Sequence, residues 1–363
     1  MKVASIVGAR PNFVKLAPVS RELRRRFDEI IIHTGQHYNY EMDKIFFDDL
    51  GIPAPDYHLG VGSGNHGSQT GEMLKKIEEA ILIEKTDAVL VFGDTNSTLA
   101  GALAAAKLHI KVAHVEAGLR SYDKHMPEEI NRVLVDHCSD LLLCPTRTAV
   151  ENLRKEGIIK NVCLTGDVMV DAQRDCAKIA EKRSHILEDL SLVPGDYFLA
   201  TVHRASNTDD PERFKNIIEA LEDIGDIVFP CHPRSEKYLK QYGLWEDLNR
   251  QARVIKPVGY LDMLMLEKNA KKIITDSGGV QKEAYLLGVP CITLRDETEW
   301  VETVEDGWNV LADQDRDKIV RLARDFEPSQ ERHNVFGRGD ASIRTAELME
   351  KLALCSSETR DGP

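Results

Sequence analysis

A short unbroken apolar run, then a polar loop, then a helix-spaced segment: this order repeats along the chain and constrains its fold more than any other feature. Val3–Val7 is the first run, and Phe13, Leu16, Ala17 and Leu23 follow it at helical spacing. Ile30–His33, Ala88–Phe92, Val112–Val115, Leu141–Leu143 and Val162–Leu164 continue the series, with a helix of small residues at Thr98–Leu108. Strands that are apolar throughout and alternate with helices specify a parallel sheet covered on both faces. The series then restarts with Phe198–Val202, Ile227–Phe229, Val254–Ile255, Lys272–Thr275 and Cys291–Leu294. Between the two series, Ala172–Gly195 holds a charged helix and a Pro194-Gly195 turn, and reads as a connector. At 363 residues, the pattern predicts an α/β protein of two doubly wound, Rossmann-like domains with a cleft between them. The boundaries read as 1–170, 171–345 and a closing segment 346–363, whose last nine residues, Cys355–Pro363, are polar and expected to fray.

Charge narrows the range of partners. Lys and Arg total 47 against 60 Asp and Glu, a net charge of 47 − 60 = −13, which argues against nucleic acid. No apolar run approaches the roughly 18 residues of a membrane span. Met1–Gly8 reads as a strand running into a loop rather than as a targeting segment. The seven cysteines are odd in number and lack any C-x-x-C spacing, so they read as reduced thiols of a cytoplasmic protein, with no metal site expected. No G-x-G-x-x-G follows the first strand and no P-loop occurs, so NAD and ATP of the common kinds lose support and no cofactor is expected.

Ligands of open parallel sheets bind beyond the carboxyl ends of the strands. Those ends read Gly8-Ala9-Arg10-Pro11-Asn12, Thr34-Gly35-Gln36-His37, Gly93-Asp94-Thr95-Asn96 and His114-Val115-Glu116-Ala117-Gly118-Leu119-Arg120 in the first half. In the second half they read Val202-His203-Arg204, Pro230-Cys231-His232-Pro233 and Thr275-Asp276-Ser277-Gly278-Gly279. Nearly every strand delivers an ionisable group to one edge. Asp94 would serve equally as a turn or N-cap residue. Glu116 has no helix start to cap, which favours a chemical role. His203 could be a satisfied core histidine, although Arg204 beside it favours function, whereas His232 reads more readily as structural. Pro127–Arg132 opens a helix whose apolar face is Ile130, Val133, Leu134 and His137, and Glu128 and Glu129 in its first turn suit the helix dipole. Ser277-Gly278-Gly279 follows a strand and opens a helix, an arrangement suited to a phosphate. The residues alone thus point to a phosphorylated ligand, with Arg10, Lys15 and the Ser277–Gly279 turn supplying positive potential. Asp94, Glu116, Glu128 and His203 would supply acid–base groups.

Taken together, Gly8-x-Arg10-Pro11, Thr34-Gly35-Gln36-His37, Gly93-Asp94-Thr95, His114–Arg120, Pro127-Glu128-Glu129-x-Asn131-Arg132 and Thr275-Asp276-Ser277-Gly278-Gly279-x-Gln281 occur in the order found in the non-hydrolysing UDP-N-acetylglucosamine 2-epimerases. The chain resembles that family from residue 8 to about residue 310. The resemblance implies a GT-B fold with the last helix crossing back onto the first domain, usually a homodimer, and interconversion of UDP-GlcNAc and UDP-ManNAc without a redox cofactor. It implies that Asp94, Glu116 and Glu128 handle protons. His203, Arg10 and Ser277–Gly279 would steady the diphosphate, Glu283 would hold the ribose hydroxyls, and Lys15 would add charge. Gln69 and His232 match positions that in some bacterial members help form a regulatory UDP-GlcNAc site. The chain also departs from the family. Trp300 stands where an arginine is usual, Ala9 and Asn12 where Thr and Glu are usual, and Ala205-Ser206-Asn207 follow His203-Arg204. These changes resemble a branch that epimerises UDP-2,3-diacetamido-glucuronate. A GT-B glycosyltransferase, which would need an acceptor, is the rival from another class.

Overall fold

The computed structural model describes residues 1–36, 47 and 50–358, without the side chains of 10, 11 and 353–358. The chain divides into two compact units, Met1–Arg174 with Asn334–Pro363, and Asp175–His333.

The first unit runs β1 (Lys2–Val7), α1 (Arg10–Leu23), β2 (Asp28–His33), β3 (Tyr57–His58), α2 (His66–Glu84), β4 (Ala88–Phe92), α3 (Asn96–Lys107), β5 (Lys111–Val115), α4 (Pro127–Cys138), β6 (Leu141–Cys144), α5 (Arg147–Lys155) and β7 (Val162–Leu164). Helix α6 (Val168–Arg183) carries the chain across the division. The sheet order is β3-β2-β1-β4-β5-β6-β7, and all its pairings are parallel. Strand order therefore reverses between β1 and β4, where a doubly wound sheet leaves a crevice. Helix α3 lies over this point. Gly101 meets the Ile6 and Val91 side chains, so that a Cβ there would press on both strands. The Thr95 hydroxyl caps α3 by accepting from the Thr98 N–H. Small residues on α3 thus have a packing reason: the helix must approach the sheet closely.

The second unit contains α7 (Ile186–Asp189), β8 (Phe198–Thr201), α8 (Ala205–Thr208), α9 (Pro211–Ile224), β9 (Ile227–Pro230), α10 (Pro233–Gln241), α11 (Trp245–Gln251), β10 (Ala252–Ile255), α12 (Tyr260–Lys268), β11 (Lys272–Thr275), α13 (Gly278–Leu287), β12 (Cys291–Thr293), α14 (Val301–Glu305), β13 (Asn309–Leu311) and α15 (Arg316–Asp325). Its sheet, β10-β9-β8-β11-β12-β13, is again wholly parallel and reverses between β8 and β11. Phe214, Ile217, Ile218 and Leu221 on α9 pack against Phe198, Phe229 and Ile274 in its core.

The chain leaves the first unit after Arg174 and returns to it at Asn334. Short-range chemistry sets both points. The Asp167 N–H donates to the Phe336 carbonyl at 2.8 Å. The buried Asp171 carboxylate accepts from the N–H groups of Ala341 and Ser342 and from the Ser342 hydroxyl at the start of α16 (Ala341–Glu358). The stretch read as a connector is also more ordered than a linker, since Ile186, Leu187, Leu190 and Leu192 pack onto the core of the second unit. Helix α16 reaches Glu358, through part of the tail expected to fray; residues 359–363 lie outside the described residues. Among the described residues no helix is long and apolar enough to cross a membrane.

Candidate active site

Backbone geometry in the first unit gathers polar groups at the β1/β4 crevice. Gly8 ends β1 where any Cβ would overlap the Ser97 and Thr34 hydroxyls. The Asn12 amide oxygen accepts from the Ala9 N–H at 3.2 Å, and its nitrogen donates to the Phe92 carbonyl at 2.9 Å. This one side chain fastens the loop after β1 to the end of β4.

Beyond β4, Gly93 turns the chain at φ +65°. A Cβ on Gly93 would stand 3.2 Å from Lys15 Nζ and 3.3 Å from Glu116 Oε2. Those two groups form an ion pair directly beneath the turn. Both residues are buried. Glu116 holds φ +73°, a left-handed conformation that a glutamate adopts at a cost on the order of 1 kcal/mol. The strain is held by its N–H, which donates to the Leu143 carbonyl at 3.1 Å.

Asp94 caps no helix, since that role falls to Thr95. Its carboxylate is held instead by Arg132 Nη2 at 2.6 Å, and its carbonyl accepts from Asn131 Nδ2 at 2.9 Å. Both partners come from α4, which presents to the unit a face opposite to the expected one. Glu129, Asn131, Arg132, Val135 and Asp136 are buried, whereas Ile130 is 50% and Leu134 44% exposed. The polar residues are drawn inward because β4 and β5 end in groups that need partners, and hydrophobic periodicity alone cannot register that demand. The structure thus sets Glu116 and Lys15 against Gly93, the residue before Asp94, and leaves Glu128 exposed on the first turn of α4. Arg10 opens α1, but its side chain lies outside the described residues, as does His37.

Half of the His114–Arg120 motif is scaffold. His114 is fully buried; its Nε2 donates to the Gly93 carbonyl at 2.8 Å and its Nδ1 faces Asp136 at 2.7 Å. Asp136 also accepts from the Gly118 N–H and from Arg120. Burial pushes the Asp136 carboxyl up, but His114 and then Arg120 outweigh it and hold the group below the usual carboxylate range. Gln69 is a brace as well. Its Nε2 donates to the Gly62 carbonyl at 2.7 Å and its Oε1 accepts from Asn96 at 2.8 Å.

In the second unit the corresponding edge is organised by Asp276, a fully buried carboxylate. It accepts from the N–H groups of His203 and Arg204 and from Asn207 Nδ2, so it fixes the direction in which His203 leaves β8. The His203 and His232 rings lie 5.4 Å apart. His232 is the N-cap of α10, and its Nδ1 accepts from the Arg234 N–H at 3.1 Å. Loss of water from its packed face, then the nearby His203 and Arg234, lower its pKa below the usual histidine value.

Ser277 caps α13, and its hydroxyl accepts from the Val280 N–H. Gly278 is required by a side chain of the protein itself: a Cβ there would overlap the Glu299 carboxylate. Glu299 lies 2.7 Å from Arg295 and 3.6 Å from Arg204. Burial raises its pKa, and the two arginines more than reverse that rise. Gly279 faces open space apart from Ser277. Burial, and then the negative charge of nearby Glu283, raise the Tyr260 hydroxyl well above the usual tyrosine value. Trp300 is buried, with Lys282 Nζ 4.1 Å from its ring centroid, so it serves as a packing partner for a lysine. Among the described residues, no group of three His, Cys, Asp or Glu is placed to hold a metal ion.

Reading the strand ends missed the roles of Glu129, Arg132, Asp276 and Glu299. Asp276 carried a signal, because a carboxylate between a strand and a Ser-Gly-Gly turn has nearby N–H groups to satisfy. Glu299 carried only its four-residue spacing from Arg295, because its second arginine, Arg204, lies far away in sequence.

The chain is similar to known proteins over nearly its whole length. The sequence model described as UDP-N-acetylglucosamine 2-epimerase matches residues 21–350. A UDP-N-acetylglucosamine 2-epimerase homolog of Methanococcus maripaludis is 58% identical over 357 residues, covering 97% of this chain and all of that protein. The UDP-2,3-diacetamido-2,3-dideoxy-D-glucuronate 2-epimerase of Pseudomonas aeruginosa is 49% identical, again over 97% of this chain and all of the relative. Among solved structures, the Methanocaldococcus jannaschii UDP-GlcNAc 2-epimerase in complex with UDP-GlcNAc and UDP superposes with a TM-score of 0.87 at 50% identity, over 97% of this chain and all of that one. Two Rossmann-like units of the GT-B class are therefore shared with UDP-sugar 2-epimerases. The chain belongs to the UDP-N-acetylglucosamine 2-epimerase family, enzymes of the isomerase class.

Proposed function

We propose that the protein interconverts UDP-GlcNAc and UDP-ManNAc without hydrolysis, through a 2-acetamidoglucal intermediate. The C2 proton of the sugar is not adjacent to a carbonyl, so direct deprotonation is prohibitive. Anti-elimination avoids that carbanion. The C1–oxygen bond to UDP breaks, the C2 proton passes to a carboxylate, and a C1=C2 double bond forms. Return of a proton to C2 on the other face, with re-attachment of the UDP oxygen to C1, gives the epimer. Atoms and electrons balance without water or a redox partner. The observation that carries this reading is the pair of carboxylates Asp94 and Glu116 beside one glycine turn, each held by its own cation. Such groups can exchange protons in a fixed geometry. Glu128 is the third proton-handling carboxylate. In the first unit Arg10 supplies positive charge; in the second, His203 and Ser277–Gly279 hold the diphosphate and Glu283 the ribose hydroxyls.

Proton NMR of UDP-GlcNAc with the protein in D2O tests the proposal. The expected result is UDP-ManNAc carrying deuterium at C2. Products without deuterium at C2, or release of free sugar, would overturn it. A second reading is favoured by the buried Trp300 and by the 49% identity to the Pseudomonas aeruginosa relative: the same chemistry on UDP-2,3-diacetamido-glucuronate. Running both UDP-sugars side by side assigns the substrate to the faster turnover.

We also propose a homodimer. Ile130 and Leu134 lie one turn apart on α4, half-exposed, with Tyr122 66% exposed in the preceding loop; an apolar pair of this kind suits a two-fold interface. Light scattering should give twice the monomer mass, falling to one monomer in Ile130→Asp. A monomeric wild type would remove this part of the proposal.

A further inference from the structure

We propose that Glu129 is a positioning residue that fixes the Asp94 carboxylate through Arg132 and ties it to the Ser121–Tyr122 backbone. The inference rests on the reading of Asp94 as a proton-handling group.

Glu128 and Glu129 stand side by side in the first turn of α4, where either would satisfy the helix dipole. Their fates differ. Glu128 is exposed, and Glu129 is 4% exposed. A buried carboxylate is tolerated only with full compensation, and Glu129 has it. Its Oε1 accepts from the Tyr122 N–H at 2.9 Å. Its Oε2 accepts from the Ser121 N–H at 2.9 Å, the Ser121 hydroxyl at 3.1 Å and Arg132 Nη1 at 2.8 Å. The Tyr122 backbone that it holds has φ +61°, a conformation a tyrosine does not keep without such support.

The guanidinium of Arg132 is planar and rigid, and its two ends are divided. Nη1 goes to Glu129 and Nη2 to Asp94 at 2.6 Å. Fixing one end of a rigid fork fixes the other. Glu129 therefore sets where the Asp94 carboxylate stands, although it does not touch it. The same group joins that carboxylate to the segment between Arg120 and α4, so any displacement of Ser121 and Tyr122 is transmitted to Asp94.

The test is Glu129→Gln, alone and combined with Asp94→Asn. Loss of the charge that pins Arg132 should lower kcat roughly 10- to 100-fold, as expected when a supporting partner is removed, with KM and UDP affinity nearly unchanged. In the Asp94→Asn background the same substitution should cost less than about threefold, because residues acting through one another are not additive. Equal losses in both backgrounds would make Glu129 merely structural and overturn the proposal. Hydrogen exchange supplies a readout independent of turnover. Glu129→Gln should speed exchange both at Ser121–Tyr122 and around Asp94, and faster exchange confined to Ser121–Tyr122 would overturn the relay. A wild type inactive on both UDP-sugars would sink the epimerase reading alone and leave the exchange pattern to judge the relay. If Glu129→Gln does not fold, Arg132→Lys breaks the same fork from its other arm and is read in the same way.

Discussion

Glu116 joins three features that rarely coincide: a buried carboxylate, a left-handed backbone and a buried lysine partner. The ion pair can be separated from the chemistry by substitution. Lys15→Met removes the cation paired with a buried carboxylate and should cost about 3 kcal/mol of stability, besides lowering turnover. Glu116→Gln replaces the charge by a neutral amide of the same shape. It should cost less stability while removing a proton-handling group, lowering turnover by several orders of magnitude with UDP binding retained. Urea midpoints beside C2 exchange rates check both. If Lys15→Met proves as stable as wild type, Lys15 is not the counter-ion on which the buried Glu116 depends. Asp94 and Glu116 were legible in sequence because each ends an apolar strand with a charge. Glu129 was not, because the same two glutamates serve a helix dipole equally well until the fold buries one of them.

At the scale of elements, the strands were readable because uninterrupted apolar runs mark parallel strands buried on both faces. β3 and β13 escaped notice because neither is an unbroken apolar run: β3 is only Tyr57–His58, and β13 opens with Asn309. Helix α4 misled for a different reason. Its periodicity was real, but the apolar stripe points outward because the end of β4 and the loop before α4 demand Asn131, Arg132 and Glu129. Helix α10 offers a test of an element's start. His232 caps it with an unprotonated Nδ1, and its pKa lies below the ordinary histidine value. The unfolded chain therefore takes up the proton first, so the cap's contribution is complete above about pH 6.5 and is lost as pH falls through the folded value. Between pH 7.5 and 5.5 the wild type should lose more stability than His232→Asn, whose amide oxygen caps without titrating. Parallel pH curves for the two would show that the cap is not what titrates.

For the whole molecule, the question is how a chain that leaves its first unit for about 160 residues is held on its return. Asp171 lies just before the point of departure and receives the first N–H groups of α16. Farther along that helix, Arg26 donates to Glu350 at 2.7 Å, joining the end of α1 to α16. The second contact is exposed and worth little, whereas the first is buried and serves as a helix cap built from a distant residue. Sequence could place a closing helix but not this stitch, because the residues that make it are separated by 170 positions and none of them forms a motif. Asp171→Ala should cost about 1–2 kcal/mol, as loss of a cap does, and the cost should fall on one unit. Hydrogen exchange should rise along α16 and α1 while β8, β9 and β11 keep their protection. An equal rise in both units would mean that the chain unfolds as one cooperative body and that the return is held by the whole fold rather than by this carboxylate.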